Sequence, residues 1–258
     1  MKSIEKALIL FIIALGLGVF YLSTTLSKDV HTVDKEDEPM IYGETEISDY
    51  LSGKFSPASH SLFVSLEQAS IPTDGRKHYL RIETVNALKK MLNDFSKDHP
   101  KIRIFVRSST RTYNDQTNIW NGKWRSNSSI KDDRERALKI LEYSSMPGTS
   151  RHHWGTDFDL NSLNNEYFLK GEGKIIYSWL KDNAHKYGFY QPYTAGRKTG
   201  YNEEKWHWSY MPLAYKFTKD WNANFLGDSV NKLKGFLGSD IALDMAELYV
   251  NSINPDCL

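Results

Sequence analysis

The sequence predicts an α+β domain: a small, mostly antiparallel sheet with helices packed against one face and a cleft on the other. Two observations carry this. Runs of apolar residues at helical spacing, near 81–97, 132–144, 173–187, 212–223 and 238–252, are interleaved with short period-two runs near 102–107, 156–160, 189–193 and 206–210. Residues 41–258 contain no internal repeat or low-complexity block, and that length is enough for one domain with a sizeable core.

In order along the chain, Lys2 and Lys6 precede an uncharged, largely apolar run from Ala7 to Ser27. As a helix it would span roughly 30 Å, the thickness of a bilayer's hydrocarbon. No Ala-x-Ala-like site follows it and no lipobox cysteine is present, so it reads as an uncleaved signal anchor rather than a cleaved signal peptide. Lys2 and Lys6 precede the run, and Lys28 and Lys35 follow it among an excess of acidic residues; read as a signal anchor, the run places the N-terminus in the cytoplasm and the remaining chain outside. Residues 28–40 are polar and acid-rich and read as a tether.

Ile82, Val85, Leu88, Leu92 and Phe95 predict a helix over 81–97 that stops before Pro100. Ile102, Ile104 and Val106 alternate with Arg103, Phe105 and Arg107, and this strand runs out into Ser108 to Gln116. Ala137, Leu138 and Leu141 give an amphipathic helix closed by Met146-Pro147-Gly148, and Ile175, Ile176, Trp179 and Leu180 give another ending at Gly188. Phe189–Tyr193 reads as a strand, and a loop from Ala195 to Gly200 follows. The two last helices finish the domain, with about 226–258 as a helical extension.

The chemistry concentrates in two stretches, Ser150-Arg-His-His-Trp-Gly-Thr-Asp-Phe-Asp159 and Glu204-Lys-Trp-His-Trp-Ser-Tyr210. A catalytic zinc takes three protein ligands and leaves a fourth position open. His152, Asp159 and His207 supply such a set, with Glu204 left as a base. An unbroken strand would put His152 and Asp159 roughly 23 Å apart, so the chain must bend between them, and Gly155 is the residue that can do so. Beyond the bend, Thr156, Phe158 and Leu160 alternate with Asp157 and Asp159, which share the other face. Glu204 and His207 are spaced for a bend just before a strand with Trp206, Trp208 and Tyr210 toward the core and His207 toward the site. A single histidine is usually a surface or satisfied core residue, and His153 is read that way; the pattern gains weight only as a whole.

These residues resemble the zinc D-alanyl-D-alanine carboxypeptidases of the VanY type, which share a fold with the Hedgehog signalling domain. Ser150, His152, Gly155 and Asp159 match the family's Ser-x-His-x-x-Gly-x-Ala-x-Asp pattern, and Glu204, Trp206 and His207 match its Glu-x-Trp-His. One position departs: Asp157 stands where the family has alanine, adding a carboxylate that competes for the metal or hydrogen-bonds to a ligand. A looser likeness to Arg-Ser-Tyr-x-x-Gln maps onto Arg111, Tyr113 and Gln116. The resemblance covers about 75–215 and implies a Zn²⁺ cofactor held by His152, Asp159 and His207. It also implies Glu204 as general base, Arg111 holding the substrate carboxylate or steadying the developing oxyanion, and Ser150, Tyr113 and Gln116 as substrate contacts. Trp154, beside the metal motif, is read as lining the cleft.

The implied substrate is the stem peptide of peptidoglycan, cut as a D-alanyl-D-alanine carboxypeptidase. An endopeptidase, an L,D-carboxypeptidase and a non-catalytic cell-wall-binding module remain open alternatives, though Glu204 speaks against the last. A net charge of +1 without a basic stripe argues against nucleic acid, and the lone Cys257 excludes an internal disulfide. Oligomeric state is not encoded in any feature of the sequence.

Overall fold

Alternation along one central strand organises the molecule. The computed structural model describes residues 41–258, so the expected membrane segment and tether lie outside the described residues. Helix α1 (Ile47–Ser52) leads into a two-stranded antiparallel sheet of β1 (Phe63–Ser65) and β2 (Tyr79–Arg81). Then come α2 (Ile82–Asp98), β3 (Val106–Ser108), α3 (Tyr113–Ser126), α4 (Asp133–Leu141), β4 (Asp157–Leu160) and α5 (Gly171–Asn183). The chain continues through β5 (Phe189–Tyr190), β6 (His207–Tyr210), α6 (Met211–Phe225), α7 (Ser239–Ala242) and α8 (Ala246–Asn251). No helix among the described residues is long and apolar enough to cross a membrane.

The main sheet has four strands in the order β3-β4-β6-β5, every neighbouring pair antiparallel. Phe158 and Leu160 of β4 and Trp208 of β6 point to one face, where they meet Leu88, Met91 and Phe95 of α2 and Ile176, Trp179 and Leu180 of α5 in a continuous buried core. Each such fully buried large side chain contributes about 1.5–3 kcal/mol relative to exposure. The intervening residues, Asp157 and Asp159 with His207 and Ser209 across the ladder, fall on the opposite face. The α+β class with small antiparallel sheets and many helices is what the interleaved periods predicted.

Several boundaries differ from expectation for local reasons. The strand expected over 102–107 joins the ladder only at Val106–Ser108. Its would-be partner turns away at Asn161, which has φ +53°. The Asn161 side chain takes over instead, accepting from Phe105 N–H and donating to the Arg103 carbonyl. Strand β5 stops at Tyr190 instead of Tyr193, two residues before Pro192, which has no N–H to offer a ladder. Helix α3 is an element the apolar pattern did not announce; Thr112 and Asp115 form a reciprocal capping box at its start. The single helix expected over 238–252 is two short helices joined by a 3-10 turn at Leu243–Met245. Beyond them the chain packs back onto the segment that carries Glu204: Asn254 N–H donates to the Pro192 carbonyl, and Arg197 donates to Ser252 and Tyr201 carbonyls.

Candidate active site

A short 3-10 turn, Arg151–Trp154, precedes β4 and ends at Gly155 with φ +74°. A side chain at that position would collide with the Phe63 ring, so both the backbone angle and the space require glycine. The turn folds His152 back over the strand, as the sequence required. Across the ladder His207 sits directly opposite Asp159. A tight turn, with His207 N–H donating to the Glu204 carbonyl at 3.3 Å, places Glu204 on the same side.

His152, Asp159 and His207, all buried, offer ligand atoms that lie within 4.8 Å of one another. His152 Nδ1–H donates to the Ser109 carbonyl at 2.8 Å, which leaves Nε2 as the lone pair, 3.4 Å from Asp159 Oδ1. His207 Nε2–H donates to Asp157 Oδ1 at 3.0 Å, and its Nδ1 lies 3.0 Å from Asp159 Oδ1. Two imidazole nitrogens and one carboxylate oxygen therefore converge, a donor set and geometry that fit zinc with one position open. Burial, with help from Arg111, pulls His152 down to about 4, so its ring is neutral and free to ligate. Burial also pulls on His207, but hydrogen bonds to Asp157 and Asp159 win and push it up to about 9. A cation at Nδ1 would stand in place of that second proton. Burial raises the Asp159 carboxyl, yet His152 and His207 outweigh it and hold the group well below the usual carboxylate range.

Asp157, the departure from the family pattern, does not join the convergent set. Its Oδ1 accepts from His207 Nε2–H and from Arg151 Nε–H at 2.9 Å; its Oδ2 accepts from Thr156 and Ser209 hydroxyls at 2.5 and 3.0 Å. Arg151 itself is buried and donates onward to Thr218 and Ser209. The extra carboxylate is thus neutralised by a buried arginine and fixes the ring orientation and tautomer of a ligand histidine.

The triad opens into a cavity of about 780 Å³, the size of a small-molecule or peptide cleft. Glu204 lines it, with Oε2 3.7 Å from His207 Nδ1. Burial raises its carboxyl to about 8, against the pull of His207. Arg111 lines the same cavity, its guanidinium donating to Ser108 Oγ at 2.9 Å and lying 3.9 Å from Asp159 Oδ2, while Nε is buried without a partner. Its backbone is clamped to the metal segment: Arg111 N–H donates to the His152 carbonyl, and His153 Nδ1–H donates to the Arg111 carbonyl. His153, wholly buried, is held from the other side by Gly148 N–H. Gln116 lines the cavity and donates to the Ser145 carbonyl, and its buried Oε1 has no partner.

Other expected substrate contacts lie elsewhere. Tyr113 lines a separate surface groove and donates its hydroxyl to the Leu233 carbonyl at 2.7 Å. Trp154 is fully buried, donates to the Leu51 carbonyl and stacks under Arg151, whose guanidinium carbon is 4.9 Å from the ring centre. Ser150 is buried with its hydroxyl unpartnered and is not part of the cavity wall. Conversely, Lys123, Tyr193, Tyr201 and Ser144 line the cavity without having been singled out. The capping box before α3 was the available signal for Lys123; the tyrosines had none, because long-range packing alone brings them in.

Residues 77–213 match the family model described as VanY, D-alanyl-D-alanine carboxypeptidase. The putative carboxypeptidase YodJ of Bacillus subtilis (strain 168) is 30% identical over 169 residues, 62% of this chain and 56% of that protein. A D-alanyl-D-alanine carboxypeptidase of Enterococcus faecalis is 32% identical over 70 residues, 26% of this chain and 25% of that protein. The matched region thus spans about half, or less, of the length of these curated relatives. Among solved structures, the LdcB LD-carboxypeptidase aligns with a TM-score of 0.47 at 24% identity, over 70% of this chain and 81% of its own. VanYB in complex with D-alanine-D-alanine aligns at 0.45 and 22% identity, over 59% and 82%.

Proposed function

The chain belongs to the VanY family of D-alanyl-D-alanine carboxypeptidases, and on that premise we propose that it is a zinc-dependent carboxypeptidase that removes the terminal D-alanine from peptidoglycan stem peptides. The observation that carries the proposal is the buried His152, Asp159 and His207 cluster opening beside Glu204 into a peptide-sized cavity. A zinc ion held by those three residues supplies Lewis acidity, polarising a carbonyl and lowering the pKa of water toward neutrality.

The chain's own residues supply the rest. Glu204, buried beside the triad with Oε2 3.7 Å from His207 Nδ1, is placed for general acid-base work. Its carboxylate takes a proton from the attacking water as hydroxide adds to the peptide carbonyl. It returns that proton to the amide nitrogen as the C–N bond breaks, so the water is divided between acid and amine products. Arg111, lining the cavity beside Asp159, would hold the substrate's terminal carboxylate. The unpartnered Gln116 Oε1 accepts from a peptide N–H. Glu204 and Arg111 touch the reacting groups or the terminal carboxylate, whereas Asp157 acts through His207.

A peptidoglycan substrate would call for a domain outside the cytoplasmic membrane, and the apolar run Ala7–Ser27 would suit a single-pass anchor there. Mass spectrometry of muropeptides incubated with the purified protein tests the proposal. Loss of one terminal D-alanine from pentapeptide stems is expected; cleavage within a cross-bridge or of a tetrapeptide's L,D bond would replace it with the corresponding alternative activity.

A further inference from the structure

One face of α3 forms a wall of the cavity through Gln116, Ile119 and Lys123. Lys123 is seven residues beyond Gln116, about 10 Å along a helix axis and about three residues of extended peptide, with its ammonium in the field of both Glu204 and Arg111. A carboxypeptidase's leaving side holds a single residue and its carboxylate, so whatever reaches Lys123 belongs to the acyl side.

The Lys123 ammonium is an unusual group for such a place. It donates to Ser144 Oγ at 2.6 Å, a neutral acceptor, and among the described residues no carboxylate lies within ion-pair distance of it. Desolvation in the cavity pulls its pKa down, against the attraction of Glu204. An ammonium with three donors, of which one is used by a hydroxyl, has capacity for a charged acceptor.

From this placement we infer that Lys123, steadied by Ser144, is a specificity subsite for a second carboxylate: a side-chain or free α-carboxylate two to four residues before the scissile bond. The subsite rests on the peptidase reading above. Arg111 addresses the terminal carboxylate and Lys123 the acidic residue upstream, so the cavity selects peptides carrying two negative charges at a fixed separation. Amidation of the upstream acid removes the acceptor and weakens recognition.

The test uses two N-acetylated pentapeptides ending in D-Ala-D-Ala, identical except that one carries a free side carboxylate at the upstream position and the other a carboxamide. With zinc-loaded wild-type protein, KM is expected to be on the order of ten-fold lower for the acid form, with similar kcat. Lys123→Met should bring that ratio to near one, and Lys123→Arg should restore most of it. Equal KM values in the wild type, or an unchanged ratio in Lys123→Met, would overturn the subsite. Calorimetric titration with the two product tetrapeptides separates this from the peptidase reading. Tighter binding of the acid form that disappears in Lys123→Met supports the subsite even where no turnover is measured, and equal affinities refute it; absence of hydrolysis of both peptides by the wild type counts against the peptidase reading alone.

Discussion

The two ends of the cavity are built in opposite ways. At the metal end, Arg151, Asp157 and His207 are linked by hydrogen bonds and His152 donates to the Ser109 carbonyl, so each ligand ring is fixed by a partner behind it. Along the α3 wall, Gln116 Oε1 is left without a partner and Lys123 is held only by a serine hydroxyl. Buried polar groups are almost always satisfied, so the wall is less tightly bonded than the metal end. Under the proposed function, the first end would hold the ion and the second would take the peptide.

The contrast is broken most severely from the metal end. His152→Ala, Asp159→Ala and His207→Ala should each abolish stoichiometric zinc, measured by atomic absorption on the purified protein, because two remaining ligands make a weak site. Retention of one zinc per chain in all three variants would dissolve the distinction between the two ends.

Asp157 supplies a finer test. Asp157→Ala leaves the buried Arg151 charge without its partner, which costs on the order of 3–5 kcal/mol, so this variant should be strongly destabilised in thermal unfolding. Adding Arg151→Met removes the stranded charge and should recover much of the stability, yet zinc affinity should remain about 10- to 100-fold below wild type because His207 has lost its orienting carboxylate. Wild-type affinity in the double variant would show that the network supports the fold only.

The smallest effect comes from the wall. Gln116→Met keeps volume but removes both the donor to Ser145 and the unpartnered acceptor. Zinc content should not change, while KM for a D-Ala-D-Ala peptide should rise by roughly two- to ten-fold, the worth of a neutral hydrogen bond. A loss of zinc in this variant would mean the two ends are mechanically one.

The same contrast explains what was legible in the sequence. The metal end comes from two local motifs, a glycine bend with a period-two strand for His152 and Asp159 and a three-residue spacing for Glu204 and His207, and only their pairing across the ladder joins distant segments. That Asp157 orients a ligand and does not bind the ion was left open, because the deciding partner, Arg151, adjoins it only once the turn is formed. The wall is assembled from distant segments. Its helix buries Gln116, Trp120 and Trp124 and lines the cavity with Gln116, Ile119 and Lys123, so apolar periodicity is weak and the capping box at Thr112 is its clearest signal. Tyr113 and Trp154, adjacent in sequence to functional residues, prove to face other parts of the molecule, since adjacency in a turn or helix start says little about direction.

The central claim is that holding the metal and moving the proton are separate tasks on this site, the second belonging to Glu204. Glu204→Gln preserves size and removes the proton affinity, with Glu203→Gln as a neighbouring control already engaged by Lys205. The decisive measurement is zinc content and hydrolysis of a D-Ala-D-Ala peptide on the same preparation. Full zinc occupancy with a rate lower by about 10²- to 10⁴-fold in Glu204→Gln, and a near-normal rate in Glu203→Gln, is the expected result; near-normal hydrolysis by zinc-loaded Glu204→Gln would contradict it.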